Sequence, residues 1–72
     1  MDRTTGSEVA GVVVELLPKG LYRVELESRR RVVAHPAAGL GKNFVRLIEG
    51  DRVLVVLTPF DRGRGRIIRR IG

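Results

Sequence analysis

Near the C-terminus the stretch "DRGRGRIIRR", residues 61–70, carries five arginines among two glycines and two isoleucines. A guanidinium is a planar fork that stays charged at any physiological pH. It grips a phosphate through two parallel N–H donors and stacks on flat rings, where an ammonium acts as a point charge. Alternation along the segment puts Arg64, Arg66, Ile68 and Arg70 on one face and Gly65, Ile67, Arg69 and Ile71 on the other. Ile67 and Ile71 then anchor a strand to a core, and Arg64, Arg66 and Arg70 form an outward basic row. A disordered tail has no need of isoleucines, so a folded strand is the reading. Arg69 escapes the inner face only if the strand ends or bulges there.

A second basic group lies mid-chain, where Lys42, Asn43 and Arg46 surround Phe44. Phe44 begins an apolar series with Val45, Leu47 and Ile48 and reads as core. His35 is the only histidine and there is no cysteine, so no dyad, thiol nucleophile or thiolate metal site is available. "GRGR" in a strand is not a dinucleotide fingerprint, which needs a strand-to-helix turn. The chemistry is that of a binder, with no metal.

Charge is placed unevenly. Residues 1–28 hold three basic and five acidic side chains, whereas residues 29–72 hold eleven basic and three acidic ones. Of 14 basic residues, 12 are arginine. Such asymmetry points to one polyanion-binding side. With three aromatics in the chain, and Tyr22 on the apolar face of its strand, recognition of a folded RNA by charge and shape fits better than base stacking along a single strand. The apolar runs reach about five residues, against about 20 for a membrane span, and "MDRTTGSE" has no apolar run. A soluble cytoplasmic monomer is expected.

The elements that must position these residues are short strands. "EVAGVVVELL" is rich in β-branched residues and closes on "PKG", a turn signal; Gly11 inside it suggests a bulge or bend. "YRVELE" alternates Tyr22, Val24 and Leu26 against Arg23, Glu25 and Glu27. "ESRR" is a hairpin turn, "RVVAH" a third strand, "EGD" a turn and "RVLVVLT" a fourth strand. "PAAGLGKNF" reads as a loop with one helical turn. The fold class is all-β: a five-stranded oligonucleotide-binding (OB) barrel with a short helical turn between strands 3 and 4. An SH3-like barrel has similar strand lengths, and periodicity does not separate the two. Residues 1–7 are expected to be a flexible arm and 8–72 one RNA-binding domain.

The ordered pieces "GVVVELLPKGLYRVEL", "VVAH", "KNFVRLIEGDRV" and "LTPFDRGRGRI" resemble the bacterial translation initiation factor 1 family, from about Glu8 to Arg70 with no insertion or deletion. The resemblance implies the OB barrel. It also implies binding to the small (30S) ribosomal subunit at the aminoacyl-tRNA site, against ribosomal RNA of the decoding region. The partners it implies are the other two bacterial initiation factors, and the role is start-codon selection with no catalysis and no cofactor. Carried over by position, the RNA-binding residues it implies are Arg23, His35, Lys42, Asn43, Arg46, Arg64, Arg66 and Arg70. The chain departs from the family pattern at Pro36, Gly39 and Gly41 in the insert, and at Arg69, where an apolar or aromatic residue is common.

Overall fold

The computed structural model describes residues 8–36, 47–58 and 61–71, apart from the Arg62 side chain. Five strands form there: β1 (Glu8–Leu16), β2 (Tyr22–Leu26), β3 (Arg31–Pro36), β4 (Arg52–Thr58) and β5 (Asp61–Arg70). They close into a barrel in the order β1-β2-β3-β5-β4. The all-β, five-stranded OB barrel expected from the sequence is the fold. Its proposed helical turn between strands 3 and 4, and the arm at 1–7, lie outside the described residues. A 3-10 turn is present elsewhere, at Pro18–Gly20 between β1 and β2.

Valine alternation builds the inside. Val13, Val24, Val32, Val53, Val55 and Ile67 have almost no exposure, and Leu47 plugs the same cluster ahead of β4. Each such side chain contributes about 1.5–3 kcal/mol on burial. Tyr22 is buried, as its strand face predicted. Ile71 is not an anchor: it is 37% exposed, with its N–H bonded to the Arg52 carbonyl at 2.8 Å.

β1 serves two neighbours, pairing antiparallel with β2 and with β4. Its register slips between Val13 and Glu15, so the bulge falls at Val14 and not at Gly11. Gly11 keeps regular partners, Leu26 and Val53. What Gly11 permits is close approach, since a Cβ there would sit 2.5 Å from Val24 Cγ1 and 3.0 Å from the Glu25 carbonyl oxygen. The "PKG" turn is made by positive φ at Lys19 and Gly20. The "ESRR" hairpin is closed by Arg29 N–H on the Leu26 carbonyl, 2.8 Å, and Leu26 N–H on the Arg30 carbonyl, 2.7 Å.

β5 closes the ring. It runs parallel to β3, with Val33↔Arg64, Ala34↔Gly65, His35↔Arg66 and Pro36↔Ile67 in register, and antiparallel to β4. Gly65 lies inside, opposite buried Ala34, where a Cβ would come within 2.6 Å of Val55 Cγ1 and 3.1 Å of the Val56 carbonyl oxygen. Gly65→Ala should therefore destabilise the barrel by about 1–3 kcal/mol, the usual cost of overpacking. Urea unfolding should show a lower midpoint at unchanged slope; an unaltered midpoint would mean that the two strands separate at little cost.

Candidate nucleic-acid interface

Pairing across the sheet fixes which side chains share the outside. Tyr22 and Val24 point in, so Arg23 between them points out, beside Val33 on β3 and Glu15 on β1. Val33 is level with Arg64 on β5, and His35 is level with Arg66. Arg66 in turn faces Val56 on β4. With strands about 4.8 Å apart, Arg23, His35, Arg64 and Arg66 share one outer face across β2, β3 and β5.

Each is held differently. Arg23 is partly covered, and its Nε donates to Glu15 Oε1 at 2.9 Å. Arg64 is exposed; its Nε lies 3.3 Å from Asp61 Oδ2, while Asp61 Oδ1 accepts the Gly63 N–H at 3.0 Å. That carboxylate orients the guanidinium by its Nε edge and leaves both terminal amino groups for a ligand. Arg66 is exposed and makes no ion pair among the described residues. His35 is exposed, with Nδ1 3.2 Å from the Pro36 carbonyl oxygen, a contact that requires the proton on Nδ1. Val33 and Leu21 line the floor of a cleft of about 360 Å³ with His35, Asp61, Gly63 and Arg64 around them.

Arg70 does not join this row. Between Leu54 and Val55 the register with β4 slips: Val55 faces Ile67, Leu54 faces Arg69 and Val53 faces Arg70. Ile68 is thus the extra residue of a bulge. Arg70 is turned toward the end of the barrel, its Nη1 4.0 Å from Asp51 Oδ2. Asp51 is itself a hub, since Oδ2 accepts the Ile48 N–H at 3.0 Å and its carbonyl accepts the Val13 N–H at 2.9 Å. Arg69, expected inside by plain alternation, is exposed. Lys42, Asn43 and Arg46, with Phe44, lie outside the described residues. Among those described, no three acids or histidines gather as a metal site, and no helix is long and apolar enough to cross a membrane.

The model of the family described as translation initiation factor 1A / IF-1 matches residues 1–72. The solution structure of bacterial translation initiation factor 1 from the Wolbachia endosymbiont strain TRS of Brugia malayi is similar, with 39% identity and a TM-score of 0.76. The match covers 96% of this chain and 82% of that one. YjeQ from Thermotoga maritima matches at 24% identity and a TM-score of 0.72, over 92% of this chain and 23% of that one. YloQ, a circularly permuted GTPase, matches at 17% and 0.74 over the same shares. At those identities the last two speak to the barrel alone.

Arginine and acid separate in a stability measurement. Arg66→Ala should change unfolding free energy by no more than about 0.5 kcal/mol, as for exposed sites generally. Asp51→Ala, which removes the acceptor of the Ile48 N–H, should cost about 1–2 kcal/mol. Equal losses in the two variants would make Arg66 part of the barrel's own framework.

Proposed function

The chain belongs to the translation initiation factor 1A / IF-1 family, and on that footing we propose that it binds the small (30S) ribosomal subunit at the aminoacyl-tRNA site. It contacts ribosomal RNA of the decoding region there and assists the other two initiation factors in start-codon selection. It acts by occupying the site as a monomer in the cytoplasm, without catalysis. The observation that carries the reading is the register of β3 with β5, which sets His35 beside Arg66 and brings Arg64 and Arg23 onto the same exposed face. Forked donors on a rigid sheet suit a folded RNA backbone, whose phosphates they meet in pairs. Tyr22, the aromatic among the described residues, is buried and offers no ring for stacking. Lys42, Asn43 and Arg46 complete the contact from the insert, and Arg70 from the barrel end.

Each phosphate contact displaces condensed cations, so affinity should fall steeply with salt. Co-sedimentation with purified small subunits should give saturation near one per subunit at low salt, release at high salt, and loss to an antibiotic that occupies the aminoacyl site. Arg66→Ala should weaken binding by about 1–3 kcal/mol, the worth of a hydrogen bond to a charged group or two. Binding that ignores the competitor, or that is matched by free single-stranded RNA, would leave the barrel intact and remove the assigned role.

A further inference from the structure

A continuous ladder through β5 would set Arg69 opposite Val53, the register position that Arg70 takes instead, at the barrel end beside Asp51. With the bulge, Ile68 is left out of register, half-buried, and Arg69 emerges outside, opposite Leu54. Leu54 is two residues from Val56, the partner of Arg66. Arg69 therefore follows Arg66 along the outer face at one strand repeat, roughly 7 Å.

We infer that Arg69 binds RNA phosphate as the third member of an outward row with Arg64 and Arg66, a row that the bulge at Ile68 creates. The inference rests on the RNA-binding reading above and extends its footprint. β3 leaves its last pair with β5 at Pro36↔Ile67, so Arg69 stands beyond the His35–Arg66 pair. Its outward neighbours across the sheet are Leu54 and then Ala10, both uncharged. The apolar neighbours suit the arginine stem, and its head is left to solvent. No acid among the described residues pairs with it, in contrast to Arg64 at Asp61 and Arg70 at Asp51. A guanidinium without a carboxylate partner binds phosphate without first giving one up.

The test is salt-dependent binding of the full chain to purified small subunits, comparing the parent with Arg66→Ala, Arg69→Ala, Arg69→Gln and Arg69→Lys. Losing one phosphate contact should lower affinity several-fold at low salt. It should also flatten the plot of log affinity against log salt by about 0.7–0.9. Arg69→Ala and Arg69→Gln should both do so, and Arg69→Lys should restore the slope, because charge and not shape is what the slope counts. Arg69→Gln keeps most of the stem, so a fall in affinity without a fall in slope marks lost packing and overturns the inference. Unchanged affinity and slope in the Arg69 variants, with Arg66→Ala weakened, overturns it too and leaves the proposed function standing. A parent that shows no salt-sensitive binding removes the proposed function and this inference together.

Discussion

Around Gly65 and Arg66, β5 is bonded on both sides at once, parallel to β3 and antiparallel to β4. That double pairing closes the barrel, and it divides β5 between two environments at every step. Gly65 and Ile67 go inside, where Ala34, Val55 and Leu57 meet them. Arg64 and Arg66 go outside, where Val33, His35 and Val56 meet them. A one-residue slip would exchange the two sets and bury two guanidinium groups, so the hydrophobic demand of the core holds the basic face in place. Gly65 is what lets the strands come close enough for this, since any Cβ there meets Val55.

The acids of the chain sort its arginines into kinds. Glu15, Glu25, Asp61 and Asp51 lie within 4.0 Å of Arg23, Arg31, Arg64 and Arg70. The first three pairs are at the surface and contribute at most about 1 kcal/mol each, so their main effect is on direction. Asp51 departs from the others because it also caps the turn before β4 and is largely covered. Its neighbour Arg70 is thereby tied to the architecture of the barrel end. Arg66 and Arg69 have no such partner among the described residues and stand on the open face.

Most of the barrel was legible because its strands obey one period. "YRVEL" alternates apolar and polar residues, "RVLVVLT" is a β-branched-rich apolar run after a turn signal, and both appear as strands with the expected boundaries to within a residue. What alternation could not locate were the places where a strand breaks its own period. Gly11 was the visible candidate for a bulge in β1, yet the slip is at Val14, a residue with no local signal for it. In β5 the arginine in the inner register announced that something must give, but not which residue would be expelled. The outcome rearranged the site: Arg69 came out, Arg70 went to the barrel end, and Ile71 left the core. Arg23, His35, Arg64 and Arg66 fall on one face through the regular pairing of β3 with β2 and β5; against β4 the register of β5 breaks again between Gly65 and Asp61, so Arg64 is placed by β3 alone. That they share it depends on β3 and β5 being parallel neighbours, which no local pattern encodes.

Stability alone gives no reason for the outer face to look as it does. Like charges along one strand repel, and the interior would be as well packed with serine or threonine at 64 and 66. The sequence nevertheless places guanidinium groups there, while five of its eight acids fall in the first 28 residues. A barrel that had only to stay soluble could scatter its charges over all five strands. One that must fit a polyanion has to gather positive charge on a rigid surface, and the proposed function gives that reason for the row to which the bulge at Ile68 adds Arg69. The repulsion along the face is a cost carried by the folded state, and in the proposed function a phosphate backbone lying against it offsets that cost.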